Sequence, residues 1–366
     1  MAKTKTNLSK TIKIILLFVA VFLVAGVLFI KFNTGSAAEF TDNFLRPLLG
    51  NGVVGFMEKI YFNTSDKIQQ VTNQKGNVPQ FPNQGISNST STPIPIDSRL
   101  PKVTGEGVWR NLPLSQFPSS QVMAYTFVRP DPKRPFAYVT LVTIDMTKMN
   151  LGIVAGTKQP GGPIGNPGTG KIPGNIIKDG RLVAAFDGGF QYRDGEYGMI
   201  VDGKTYVPLQ DSVGTLVGYK NSSLKIVNYT GQDLGKDVAF IRQNCPILIQ
   251  DGQVFAQNEL NKKLWGRTFN ADIFTWRSGM GLTAEGNLIY AVGNNLSPTT
   301  LAKALKIAGA TNAIQLDINP FWVRFNIFEP KGNGGYKSST LTKDLKDGSK
   351  DFLGSYSKDF FYLYEK

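Results

Sequence analysis

Leu182-Val183-Ala184-Ala185-Phe186-Asp187-Gly188-Gly189-Phe190 decides how this chain is read. An apolar run stops at a carboxylate and two glycines. A run of this length, bounded by turn residues, predicts a buried strand. Asp187 then stands where the strand leaves the core. Gly188 and Gly189 permit a sharp turn and a close approach by another group. Ala313-Ile314-Gln315-Leu316-Asp317-Ile318-Asn319 repeats the design, a short apolar strand with an acid near its end. The two strand ends are expected to meet at one site.

Around these segments the chain reads as strands and tight turns. Asp-Gly pairs supply the positive φ that type I′ turns require. They predict hairpins over 176–182, 199–206 and 247–254, with a weaker one over 282–289 around Glu285-Gly286. Asp179, Asp202, Asp251 and Glu285 are accordingly turn residues, not catalysts. Residues 136–144 alternate like a half-buried strand, and 151–156 read as its neighbour. Gln159–Gly174, dense in Gly and Pro, reads as a loop, a lid or rim. One helix is clear. Ser297 is its N-cap, Pro298 fits the first turn, Leu301, Leu305 and Ala308 form its stripe, and Gly309 ends it. It leads into the strand ending at Asp317, which suggests a strand–helix–strand crossover. The expectation is an α+β fold: a mixed, largely antiparallel sheet with several hairpins and few helices, preceded by a transmembrane helix.

That helix comes from Ile14–Ile30, an almost wholly apolar run that spans about 25 Å as a helix and extends to 12–32. Lysines precede it, so residues 1–11 form a basic cytoplasmic tail and the remainder is extracytoplasmic. The alternative is secretion after signal cleavage near Ser36-Ala37-Ala38. Residues 33–70 read as two short juxtamembrane amphipathic helices. Residues 71–102, rich in Asn, Gln, Ser, Thr and Pro, read as a flexible linker. Residues 103–366 form the globular domain.

Composition limits the chemistry. The 366 residues contain no histidine and one cysteine. Ser-His-Asp and Cys-His nucleophile systems are excluded, as are His-built zinc sites. Cys245 reads as a small core residue. Any metal would need oxygen ligands. The formal charge is +13, and five lysines in or beside the N-terminal apolar segment leave +8 elsewhere. This balance suits an anionic partner, such as a sugar-phosphate or anionic glycan, or a membrane surface. No Lys/Arg block resembles a nucleic-acid footprint.

The candidate catalytic residues are Asp187, Asp317 and Arg277. Two carboxylates flanking a glycosidic bond can divide acid and base or nucleophile roles. In Trp276-Arg277-Ser278-Gly279-Met280-Gly281, a guanidinium could grip a phosphate beside a track of small residues. Candidate substrate contacts are Gly188, Gly189, Tyr192, Tyr197, Ser278, Asn319 and Trp322, the aromatics serving as stacking platforms. Asp194 and Glu196 could join a Ca²⁺ site; the metal is otherwise unknown. Each residue also has a purely structural reading, as strand-end cap, turn or core.

The order Asp187-Gly188-Gly189-Phe190, Tyr197 to Lys204, Arg242-Gln243-Asn244-Cys245-Pro246, Arg277-Ser278-Gly279-Met280-Gly281 and Leu316-Asp317-Ile318-Asn319-Pro320 resembles the phosphodiester glycosidase family. The likeness is to its N-acetylglucosamine-1-phosphodiester alpha-N-acetylglucosaminidase-like domain, in a bacterial membrane-anchored variant, over roughly Gly105–Glu329. It implies hydrolysis of a sugar 1-phosphodiester. By position, Asp187 stands where the family often has Asn in Asn-Gly-Gly-Phe. Arg277 matches the Arg of Arg-Thr-Ala-Ile-Gly, and Asp317 the Asp of Leu-Asp-Gly-Gly-Gly-Ser. Ile318-Asn319-Pro320-Phe321 replaces the glycine-rich segment. The expected function is an extracytoplasmic, membrane-anchored hydrolase of sugar 1-phosphodiesters in surface glycans or glycolipids. The alternatives are a non-catalytic glycan-binding envelope module and a structural envelope protein.

Overall fold

The computed structural model describes residues 77–82, 89, 91–118, 121–256, 265, 274–332 and 334–366, with isolated positions 47, 49, 50 and 53. The expected membrane segment at 12–32 and nearly all of 33–70 lie outside the described residues. Among the described residues no helix is long and apolar enough to cross a membrane.

The elements of the unit Asn73–Lys366 begin with strands β1 (Arg110–Asn111), β2 (Met123–Val128), β3 (Val139–Ile144) and β4 (Met149–Val154). Helix α1 (Gly174–Lys178) precedes β5 (Leu182–Asp187). Then come β6 (Met199–Val201), β7 (Lys204–Val207), β8 (Val213–Tyr219), β9 (Leu224–Tyr229), β10 (Val238–Gln243), β11 (Ile249–Gln250) and β12 (Gln253–Val254). Strands β13 (Thr275–Leu282) and β14 (Leu288–Leu296) lead to helix α2 (Pro298–Ile307) and β15 (Asn312–Ile318). The chain closes with β16 (Phe325–Pro330), β17 (Tyr336–Thr340), α3 (Ser349–Leu353) and β18 (Phe360–Glu365).

These strands form an eight-stranded sheet, β1-β2-β3-β14-β13-β15-β11-β12, and two five-stranded sheets, β7-β6-β10-β8-β9 and β17-β16-β5-β18-β4. One core cluster joins all three sheets through Met280, Tyr290 and Leu316, Met199 and Phe240, and Phe186, Phe325 and Phe361. Helix α2 covers the other face of the large sheet through Leu301 and Leu305. Helices α1 and α3 cover the β5–β18 sheet through Ile176 and Phe352. Strand β5 therefore lies between two apolar layers, and all six of its residues are buried. Burial on both faces is why it reads as an unbroken apolar run.

The α+β, largely antiparallel architecture is as expected. Asp202-Gly203 and Asp251-Gly252 adopt positive φ of 49° and 75°, and 48° and 74°, and close the β6–β7 and β11–β12 hairpins. Strands β13 and β14 also pair as a hairpin. Ser297 caps α2 by accepting from the Thr300 amide, while the Thr300 hydroxyl accepts from the Ser297 amide. Both β14 and β15 run antiparallel to β13. They are thus parallel to each other, and α2 makes the expected crossover.

Four local readings are corrected. Asp179-Gly180 closes helix α1 instead of a hairpin; Gly180, at φ 71°, donates to the Ile177 carbonyl. Strand β3 is buried on both faces, Val142 and Ile144 in the central core and Val139 and Leu141 in the cluster with α2. Strand β4 pairs with β18 in a different sheet, not with β3. Within 71–102, read as a linker, the described residues pack on the domain. Ile94 and Leu100 are buried, the Ile94 amide donates to the Gly107 carbonyl, and Phe81 lies 4.1 Å from the Tyr125 ring. A few apolar side chains anchor this polar stretch.

Candidate active site

Three strands and a crossing segment build the site. Asp187 ends β5, where the chain must turn. Ser278 lies on β13, and Asp317 near the end of β15. The pairing of β13 with β15 slips between Arg277 and Gly279: Arg277 faces Ile318 but Gly279 faces Gln315. Leu316 and Asp317 therefore stand opposite Ser278 alone, a bulge. Leu316 packs in the central core, while Ile318 joins the α2 side. The extra residue brings Asp317 to Ser278, which a regular alternation would not do. The residues entering β18 supply Lys358 and Asp359.

Ser278 ties the two acids together. Its hydroxyl donates to Asp187 Oδ2 at 2.5 Å and accepts from the Asp317 amide at 3.0 Å. Tyr290 Oη donates to Asp187 Oδ1 at 2.9 Å, and the Arg324 amide donates to the same oxygen at 3.0 Å. Asp317 Oδ1 accepts from the Ile318 amide at 2.8 Å, and its Oδ2 pairs with Lys358 Nζ. Lys358 Nζ lies 4.4 Å from the centroid of the half-buried Trp322 ring.

Both acids are shifted upward. Burial pushes Asp187 to about 7, and the neighbouring Asp317 charge adds to the shift. The donors Ser278, Arg324 N–H and Tyr290 oppose it. The Tyr290 that donates to Asp187 belongs to an aromatic cluster: its ring lies 5.0 Å from Phe186, which stacks on Phe325 at 5.4 Å. Burial also raises Asp317, to about 6, with Lys358 holding it down. Two carboxyls titrating near neutrality can exchange protons at ordinary pH.

Residues 180–317 match the phosphodiester glycosidase family model. The resemblance in the motifs is borne out over that span. Similar solved structures include the zebrafish N-acetylglucosamine-1-phosphodiester alpha-N-acetylglucosaminidase catalytic domain, auto-inhibited by its pro-peptide. Its TM-score is 0.43 and its identity 15%, covering 69% of this chain and 86% of that one. A hypothetical protein from Synechocystis follows at TM-score 0.36 and 12% identity, covering 68% and 63%. A putative exported protein from Burkholderia pseudomallei has TM-score 0.33 and 11% identity, covering 62% and 74%. No curated protein matches the chain.

The segment matched by the family model holds both acids, Asp187 near its start and Asp317 as its last residue. Arg277 is not beside them. Its guanidinium donates to the Leu296 carbonyl at 2.8 Å, the Trp265 carbonyl at 3.1 Å and Gln315 Oε1 at 2.8 Å. As Ser278's neighbour on a strand, it points to the opposite face. The small-residue track is likewise used internally. A Cβ on Gly279 would stand 3.0 Å from Leu301, and one on Gly281 2.6 Å from Ala310, so the glycines admit α2 and the turn after it.

Gly188 and Gly189 also serve the protein's own side chains. A Cβ on Gly188 would meet Asp359 Oδ2 at 2.3 Å, and one on Gly189 would meet Arg242 Nη2 at 2.4 Å. Tyr197, expected on a rim, is buried beside Phe190. Burial raises its hydroxyl, and it also pushes the Cys245 thiol up to about 12, consistent with Cys245 as a core residue. Tyr192 stays half-buried on the 190–198 loop. Asn319 is buried at φ 76° and donates its amide to the Trp276 carbonyl. For the expected Ca²⁺, no group of three or more Asp, Glu, His or Cys among the described residues could hold a metal. Asp317 Oδ2 already pairs with the Lys358 ammonium and Asp187 lies among three internal donors, so the acid pair does not fit a further cation.

Four contributors escaped the sequence reading. Lys358 and Asp359 lie beyond the expected motifs, as does the supporting cation Arg324. Asp359 Oδ2 accepts from Gly189 N and Arg242 Nε, both at 2.9 Å. Arg242 further donates to the carbonyls of Phe190, Tyr197 and Gln243, so the 188–198 turn is held by one buried guanidinium. Asp359 Oδ1 is buried without a hydrogen-bond partner. Tyr290 was indistinguishable from other core aromatics. The available signal for Lys358-Asp359 was a charged pair placed directly before the aromatic run of β18.

Proposed function

We propose that this protein is an extracytoplasmic hydrolase of sugar 1-phosphodiester bonds in surface glycans or glycolipids, anchored through residues 12–32. The family match supports phosphodiester glycosidase chemistry, and the net positive charge suits an anionic polymer. The observation that carries the reading is the buried acid pair. Asp187 and Asp317 come from different sheets, share Ser278, and are both raised toward neutrality.

In this mechanism Asp317 receives a proton from the attacking water. Its carboxylate retains acceptor capacity after bonding Ile318 N–H and Lys358. The water oxygen bonds to the sugar anomeric carbon as the carbon–oxygen bond to phosphate breaks. The products are the free sugar and a phosphate monoester. That leaving group has a second pKa of about 6, so it departs without a strong acid. Asp187 accepts three hydrogen bonds and is the inner acid, holding Ser278 and through it the Asp317 backbone. Its raised pKa lets it act as the nearby proton reservoir.

The test is release of reducing sugar by the full-length protein from a panel of sugar 1-phosphodiesters. Asp317→Asn should lower turnover by at least about 100-fold while the circular dichroism spectrum is kept. Near-normal turnover in that variant would sink the assignment.

A further inference from the structure

Resting on the hydrolase reading, we infer that Lys358 is the phosphate-recognition residue, its ammonium binding an anionic phosphodiester oxygen beside Asp317. Three observations lead there. First, the ammonium is buried next to the acid pair, ion-paired to Asp317 and set over Trp322. Its side chain is 4% exposed. The backbone beneath it is fixed: a Cβ on Gly156 would stand 2.3 Å from the Lys358 carbonyl carbon, and the amides of Lys158 and Gln159 both donate to the Ser357 carbonyl.

Second, a lysine ammonium carries three donors. Asp317 takes one, and among the described residues no other protein acceptor bonds to Lys358 Nζ. Its other two donors make no hydrogen bond to a described residue, in surroundings where burial strengthens an ionic contact. Third, the other buried cations here are committed. Arg242 serves Asp359 and three carbonyls. Arg277 serves Leu296, Trp265 and Gln315. Arg324 serves Asp351 and the Phe321 carbonyl and lies over the Tyr356 ring. Lys358 thus takes the role that sequence spacing gave to Arg277. A point charge shared between Asp317 and the phosphate would also hold the leaving group near the base.

The test compares Lys358→Met and Lys358→Arg with the wild-type full-length protein on two substrates of the same sugar, a 1-phosphodiester and a neutral nitrophenyl glycoside. Losing a charge-assisted contact corresponds to about 10- to 100-fold. Lys358→Met should therefore lower kcat/KM on the phosphodiester at least about 10-fold more than on the neutral glycoside, and Lys358→Arg should restore part of the difference. Equal losses on both substrates would make Lys358 a partner of Asp317 only, and overturn the inference. Calorimetric titration with inorganic phosphate separates this from failure of the hydrolase reading. If the wild type turns over neither substrate yet binds phosphate, and Lys358→Met does not, the anion site stands alone. No phosphate binding by folded wild type would overturn it.

Discussion

Asp187→Asn should remove a pH dependence from the stability of the fold. Asp187 accepts from Tyr290, whose ring packs with Phe186 and Phe325, and burial followed by the Asp317 charge lifts its carboxyl from the ordinary 3.8 to about 7. Between those values the folded protein holds a proton that the unfolded chain has released. Each rise in pH therefore favours unfolding: the full stability is present below about 3.8, and the loss is complete above about 7. At about 1.36 kcal/mol per pH unit, the whole loss is about 4 kcal/mol, of which about 3 kcal/mol falls between pH 5 and pH 8. The carboxamide cannot ionise. Its oxygen can still accept from Tyr290 and the Arg324 amide, which use the same carboxylate oxygen now. Urea unfolding of both full-length proteins between pH 5 and pH 8 reads this directly. The wild type should lose about 3 kcal/mol more than the variant across that range. Parallel profiles, or a wild type that gains stability toward pH 8 while the variant does not, would refute the reasoning. Asp317, raised to about 6, acts in the same direction in both proteins.

Two further predictions probe the support of the turn. Gly189→Ala places a methyl 2.4 Å from Arg242 Nη2, so the fully buried guanidinium must shift; a cost of about 1–3 kcal/mol is expected as a lowered Tm, and an unchanged Tm counts against the contact. Arg242→Met leaves the Asp359 carboxylate uncompensated in the core and should cost about 3–5 kcal/mol by chemical unfolding, much of it recovered in Arg242→Met/Asp359→Leu. A single variant as stable as the wild type would show that the pair does not hold the 188–198 turn.

Much of the scaffold was legible because its signals are local. The apolar run of β5, the Asp202-Gly203 and Asp251-Gly252 turns and the Ser297–Gly309 helix each depend on residues within a few positions, and each appears in place. The same holds for Asp187 at the end of its strand. Its convergence with Asp317 was readable as an expectation from two segments of similar design, and Ser278 makes the connection. Sequence order also carried the family likeness over 180–317.

Direction was settled only in three dimensions. Arg277 and Ser278 are adjacent, yet strand alternation sends one toward Gln315 and the other to the acids. The bulge opposite Ser278 turns Asp317 into the site, and a slip in register leaves no mark in one strand's own sequence. Gly188 and Gly189 announced a close approach, but the approaching groups, Asp359 and Arg242, come from the entry to β18 and from β10. Lys358 reaches Asp317 because β18 pairs with β5, bringing residues 171 positions apart, Lys358 and Asp187, to neighbouring strand ends. Sequence alone determined that the β5 and β15 segments are strands and where their acids fall, since those depend on local backbone preference and burial period. Tertiary structure decided which cation joins the acids and which carboxyls lose their solvent, because both depend on long-range packing.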